Sequence, residues 1–186
     1  MITELPERKS PRSKYIDYNA PGAYFVTFCT HNRCNTLSRF VGEIRKHTEP
    51  NSPEFELSFY GETVEKYINN LPEHLLVKVD RYVIMPNHVH LMLIIPNNEA
   101  VRSFREEVRA IRESPLRSRS LLSKAVGYIK MNASKEIRQQ RGKTTVWQRG
   151  YHDHAVRDED EYMQILEYIH NNPIRWKYDC FYTKHC

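Results

Sequence analysis

Two histidines one residue apart, His88 and His90, open the apolar run His-Val-His-Leu-Met-Leu-Ile-Ile. Strand side chains alternate faces, so both imidazoles point one way and Val89 the other. A lone pair of this kind is usually satisfied locally or faces solvent. This strand is otherwise aliphatic and has no packing use for two imidazoles, which side by side offer half of a metal site. Far downstream, Tyr162, Ile165, Leu166 and Ile169 recur at helical spacing and form a buried stripe. At ~100° per residue, Tyr168 lies roughly 110° from the centre of that stripe. Asn172 falls on the same flank, about 40° round from Tyr168. A phenol is thus offered sideways from a helix, with a carboxamide one turn below. Spacing alone also fits an amphipathic boundary residue followed by a helix terminator before Pro173.

The elements that must position these groups can be read in order. Ala23 to Thr30 is rich in aromatic and β-branched residues and reads as a strand, followed by a polar loop at His31, Asn32 and Arg33. Phe55 to Tyr60 alternates as a short strand, and Gly61 separates it from a helix over 62–71 carrying Val64, Tyr67, Ile68 and Leu71. Pro72 is expected to end that helix. Residues 75–85 and 88–95 form two strands meeting at Pro86-Asn87, a hairpin that requires antiparallel pairing. Residues 102–119 carry six arginines, among them Arg102, Arg105 and Arg109, and read as a solvated segment, a helix broken at Pro115. A helix over 121–139 follows, its inward stripe running from Leu122 and Ala125 to Ile137, closed by Gly142. Residues 146–157 lead into a last strand. Asp158 then caps a helix over 159–171, with Glu161 as its capping-box partner. The tail from Ile174, with Trp176, Tyr178, Phe181 and Tyr182, is expected to pack back on the body. The order β, β, α, β, β, α, β, α argues for one α+β domain over 1–186, a mostly antiparallel sheet covered by helices.

Composition narrows the function classes. The 186 residues carry a net charge of +5, which favours a polyanion partner. Twelve tyrosines interleaved with arginine and lysine suit stacking on unpaired bases, and equally a half-buried sheet. The basic arm over about 1–20 and the arginine strip are candidate phosphate contacts. Cys29, Cys34, Cys180 and Cys186 show no Cys-x-x-Cys spacing, so reduced thiols in a cytoplasmic protein are expected. Met1 to Lys14 has no apolar core of a signal peptide. The longest apolar run, Leu91 to Ile95, is too short to span a bilayer, so no membrane partner is expected.

Taken together, these motifs resemble the single-tyrosine HUH transposases, in particular the REP-associated tyrosine transposases of bacteria. The resemblance rests on Asn87-His-Val-His-Leu91, on Trp147-Gln-Arg149 with His154-Ala-Val-Arg157, and on Glu167-Tyr-Ile-His-Asn-Asn-Pro173. Phe25-Val-Thr-Phe28 fits the family's first strand, and the likeness spans roughly residues 12 to 182. It implies a ferredoxin-like sheet with flanking helices, in proteins that nick and rejoin single-stranded DNA at hairpins. It implies His88 and His90 as metal ligands, Asn172 as the third ligand and Tyr168 as the nucleophile. It further implies a covalent link to a 5′-phosphate, a free 3′-hydroxyl, and action as a monomer or a homodimer.

The residue types suit that chemistry. A phenol with a pKa of about 10 supplies little phenolate near neutrality. A divalent cation held by two imidazoles and one carboxamide oxygen keeps open positions for phosphate oxygens. Mixed nitrogen and oxygen ligation admits Mg²⁺ or Mn²⁺. Rival candidates are His152-Asp-His154 as a second histidine pair and Tyr162 as a second tyrosine, although Tyr162 lies in the buried stripe. Trp147 and Arg149 are expected at the DNA, with loop anchoring as the other role for that motif; Tyr128 and Tyr151 are candidate stacking residues. Two further function classes are a DNA-hairpin-binding protein without catalysis and a water-using metal-dependent nuclease. Possession of Tyr168, His88 and His90 together argues against a pure binder.

Overall fold

The computed structural model describes residues 18, 20–43, 53–103, 106 and 120–182. The expected basic arm, except Tyr18 and Ala20, lies outside these residues, as do Arg105, Arg109 and Cys186. The elements are β1 (Gly22–Cys29), β2 (Ser38–Glu43), β3 (Pro53–Leu57), α1 (Phe59–Asn69), α2 (Leu71–His74), β4 (Lys78–Ile84), β5 (His88–Ile95), α3 (Leu121–Arg141), β6 (His152–Ala155) and α4 (Glu159–Asn171). The main sheet has the order β4-β5-β1-β6 with every pairing antiparallel. Omitting the β2-β3 ribbon, the chain runs β1-α1-β4-β5-α3-β6, the ferredoxin-like pattern. The α+β sandwich expected from the sequence is therefore present.

Alternation along the strands divides the sheet into two faces. Tyr24, Val26 and Phe28 of β1 and Val89, Leu91, Leu93 and Ile95 of β5 share a buried cluster with Val64 and Ile68 of α1 and Ala125, Ile129 and Ala133 of α3. The opposite face carries Phe25, Thr27 and Cys29 beside Met92, His90 and His88, because these residues are direct register partners. Helix α4 packs on β4 and β5, and Tyr168 meets Phe25 and His90 on this second face. Both histidines are consequently enclosed.

Several boundaries differ from the sequence reading, each for a local reason. Strand β2 had no sequence counterpart; it pairs with β3 through a bulge between Phe40 and Gly42 that breaks its alternation. Helix α1 begins at Phe59, within the expected strand, because the Ser58 hydroxyl accepts from the amides of Tyr60 and Gly61. Gly61 is not a separator. A Cβ there would run into the Leu37 carbonyl oxygen, so its role is close approach of two backbones. Pro72 lies in the first turn of the short α2 instead of ending α1. Asp158 caps α4 as expected, accepting from the Glu161 amide at 2.8 Å. The Glu161 carboxylate reaches one residue further back than a capping box requires, to the Arg157 amide at 2.7 Å. Among the described cysteines, Cys29 and Cys180 are free, whereas Cys34 is disulfide-bonded, which corrects the expectation of reduced thiols throughout. Among the described residues, no helix is long and apolar enough to cross a membrane.

Replacing Gly61 by alanine must push α1 away from the Leu37 carbonyl. The expected cost is about 1–3 kcal/mol, the usual range for overpacking a tight site. Urea denaturation should show a lower midpoint with an unchanged slope; wild-type stability in the variant would contradict the close approach.

Candidate active site

The site is built on the buried second face of the sheet. β5 presents His88 and His90 with their Nε2 atoms 3.0 Å apart. The Asn87 Oδ1 lies 2.9 Å from His88 Nδ1. Its amide nitrogen donates to the carbonyl oxygens of Arg33 and Phe181, at 3.1 and 2.7 Å, which settles which end of the amide faces the histidine. The Thr27 hydroxyl lies 2.7 Å from His90 Nδ1. Phe25 stacks on the His90 ring at 5.2 Å and Phe181 covers His88 at 4.6 Å. Burial holds both imidazoles neutral, with pKa values pushed down to about 3; nearby Arg33 acts in the same direction on His88, and His88 acts so on His90.

From the other side, α4 brings Tyr168 so that its hydroxyl lies 3.2 Å from His90 Nε2. Tyr168 itself is 40% exposed. Its pKa is pushed up to about 12, first by burial, then by the charge of Asp179 and by Cys180; a hydrogen bond from Asn172 opposes the rise. One turn on, Asn172 is buried. Its nitrogen donates to Asp179 Oδ2 at 3.0 Å, while its Oδ1 is buried with no hydrogen-bond partner. An orphaned buried carbonyl oxygen costs stability unless something compensates it. Asp179 Oδ1 accepts from the Phe181 amide at 2.7 Å, which folds the tail over the site.

His88, His90 and Asp179 each place a potential ligand atom within 4.8 Å of the others, a cluster suited to a metal ion. The two Nε2 atoms, 3.0 Å apart, are close enough to be ligands of one ion. Two neutral imidazoles and a carboxylate therefore suit a divalent cation; Asn172 is hydrogen-bonded to that carboxylate, and the Tyr168 hydroxyl stands beside His90.

The remaining expected site residues are placed differently. His152 and His154 lie on the same face, opposite Thr27 and Phe25, so β1 separates them from the pair on β5. Two strand spacings amount to ~9–10 Å, too far for a shared ion. His154 instead bonds Glu161 at 2.8 Å and ties β6 to the start of α4. Tyr162 donates to Asp80 on β4 at 2.6 Å, and this bond with burial raises its pKa to about 12. Trp147 corrects the expectation of a DNA contact: it is buried, edge-on to Phe28 at 5.2 Å, and its indole donates to the Lys130 carbonyl at 3.0 Å. Tyr128 is likewise packed, against Tyr67 and His74, and Tyr151 is half-buried near Ser123. Arg149 is exposed, and Arg102 is exposed in a helical segment over 99–103. Sequence reasoning passed over Thr27, Asn87, Asp179 and Phe181 as site residues. Alternation put Thr27 on the Phe25 face, but the register that sets it opposite His90 is a tertiary property.

The buried histidines tie stability to pH. Their pKa falls from about 6.5 in the unfolded chain to about 3 in the folded one. The unfolded chain therefore binds more protons between these values. Their contribution is full above pH 6.5 and is lost as pH falls toward 3, by up to about 1.4 kcal/mol per pH unit for each proton. In EDTA, denaturant unfolding at pH 7 and pH 5 should show wild type losing more stability than the variant H88Q/H90Q. Equal losses would contradict two buried neutral imidazoles.

No protein-family model matches the chain. An uncharacterised protein of Haemophilus influenzae is 30% identical over 181 residues, covering 96% of this chain and 95% of that one. A second Haemophilus influenzae protein, provisionally named a REP-associated tyrosine transposase, is 24% identical over 166 residues, 87% of this chain and 76% of its own. A solved REP-associated tyrosine transposase bound to a REP hairpin superposes with a TM-score of 0.55 at 18% identity, covering 88% of this chain and 74% of that one. With the paired histidines, the tyrosine helix and the ferredoxin-like sheet in place, the chain is similar in sequence to a provisionally named REP-associated tyrosine transposase and shares the fold of a solved one.

Proposed function

We propose that this protein is a metal-dependent strand transferase that nicks and rejoins single-stranded DNA beside a hairpin through a covalent 5′-phosphotyrosine at Tyr168. One observation carries the reading: the Tyr168 hydroxyl stands 3.2 Å from His90 Nε2, with the unpartnered Asn172 oxygen on the next turn of the same helix. The structure of a relative bound to a REP hairpin supports hairpin DNA as the partner.

Each residue takes a defined part. His88 Nε2, His90 Nε2 and Asn172 Oδ1 would hold the ion, with the Asp179 carboxylate balancing its charge. A divalent cation held there, Mg²⁺ or Mn²⁺, would polarise the phosphate and offset the negative charge on its oxygens. Asn172 contributes twice, because its hydrogen bond to Tyr168 favours the phenolate. The phenol oxygen bonds to phosphorus as the bond to the 3′-oxygen breaks; the phenol gives up its proton and the departing 3′-oxygen takes one from water. The tyrosyl ester conserves the bond energy, so a DNA 3′-hydroxyl can reverse the step without ATP. The exposed face of α4 borders a cavity of about 530 Å³ that opens on Tyr168 and is lined by Gln164, Asn171, Arg175 and Tyr178. A cation and an exposed aromatic ring there suit a phosphate and an unpaired base. Exposed Arg102 and Arg149 extend the phosphate contacts.

Labelled single-stranded hairpin DNA incubated with Mn²⁺ and wild type should give a slow-migrating, protease-sensitive adduct on a denaturing gel. Tyr168→Phe removes the nucleophile and should abolish both adduct and cleavage. Cleavage persisting in the phenylalanine variant would move the chemistry to water or another tyrosine.

A further inference from the structure

We propose that Thr27 is a positioning residue for the cation site, its hydroxyl serving as the reversible partner that lets His90 change tautomer when an ion binds. This rests on the metal reading above and extends it to a residue outside the ligand set.

Hydrogen-bond accounting leads to this role. Both donors of Asn87 point at carbonyl oxygens, so the atom facing His88 Nδ1 is its oxygen, which only accepts. His88 therefore carries its hydrogen on Nδ1 and a lone pair on Nε2. That lone pair faces His90 Nε2 at 3.0 Å. Without an ion, two lone pairs at this separation repel, so His90 carries its hydrogen on Nε2 and donates it to His88, with the Tyr168 oxygen at 3.2 Å as the other acceptor within reach. His90 Nδ1 is then an acceptor, and the Thr27 hydroxyl donates to it across 2.7 Å. With an ion bound, His90 Nε2 must offer a lone pair, and its hydrogen resides on Nδ1. The Thr27 hydroxyl then rotates and accepts. The ring loses one proton to water and gains another, so it stays neutral and no net proton is released.

A hydroxyl serves both states because it donates and accepts. A carboxylate or amide oxygen would serve only the second, and a valine neither. Water cannot substitute, since Thr27 is only 5% exposed. The other two ligands are held in a related way, each by its non-ligating nitrogen: His88 by Asn87 and Asn172 by Asp179. Partners of this kind orient metal ligands in general.

The test titrates Co²⁺ into wild type, Thr27→Ser and Thr27→Val, read by visible absorption, with thermal midpoints recorded alongside. The valine variant should bind Co²⁺ about ten- to a hundredfold more weakly, and serine should restore wild-type affinity. Ring ¹⁵N spectra of wild type should show His90 protonated on Nε2 without metal and on Nδ1 with Zn²⁺, a change that a purely structural threonine would not predict. Wild-type Co²⁺ affinity in a folded valine variant, or a His90 hydrogen on Nδ1 in both states, would overturn the proposal while leaving the metal site intact. Absence of Co²⁺ binding by wild type would overturn the metal reading, and this proposal with it. Should the valine variant fail to fold, the wild-type spectra decide.

Discussion

The structure depends on the register of β5 between β4 and β1. Val89, Leu91 and Leu93 enter the main core, while His88 and His90 face the opposite side. A one-residue slip would exchange the two sets. It would drive two imidazoles into an aliphatic cluster and withdraw leucines whose burial contributes about 1.5–3 kcal/mol each. The hydrophobic side of the strand thus holds the chemical side in place. The same register sets Thr27 opposite His90 and Cys29 opposite His88, so the surroundings of the histidines follow from pairing that the core enforces.

Burial that keeps the imidazoles neutral also disfavours the phenolate of Tyr168. These effects pull in opposite directions for the proposed reaction. Neutral imidazoles are competent ligands at neutral pH, whereas the phenol by itself is a poorer nucleophile than tyrosine in water. A positive charge at the convergence of His88, His90 and Asn172 reconciles them, since it would lower the cost of the phenolate and satisfy the orphaned Asn172 oxygen. The tail closes the arrangement. Asp179 orients the Asn172 amide, and Phe181 covers His88 while its carbonyl holds Asn87.

Much of this was legible from residue order because its causes are local. Alternation placed His88 and His90 on one face, Pro86-Asn87 announced the hairpin, and Asp158 marked the start of the tyrosine helix. Helical spacing placed Tyr168 and Asn172 on one flank. What escaped was set by distant parts of the chain. Asp179 stands in an irregular tail, where no periodicity shows which way it turns. Trp147 reads equally as a surface aromatic or an anchor until Phe28 and the Lys130 carbonyl are seen to take up its ring and its indole N–H. Gly61 reads as a breaker because the Leu37 carbonyl that excludes its Cβ belongs to a segment far from it in sequence. Strand β2 carried too short and bulged a pattern to register.

The central claim is that three buried donors beside Tyr168 form one cation site. Anomalous diffraction from crystals soaked in Mn²⁺ tests it most directly. The account predicts a single strong peak within bonding distance of His88 Nε2, His90 Nε2 and Asn172 Oδ1. A site that stays empty at saturating Mn²⁺, or a peak on His152 and His154 instead, would contradict it.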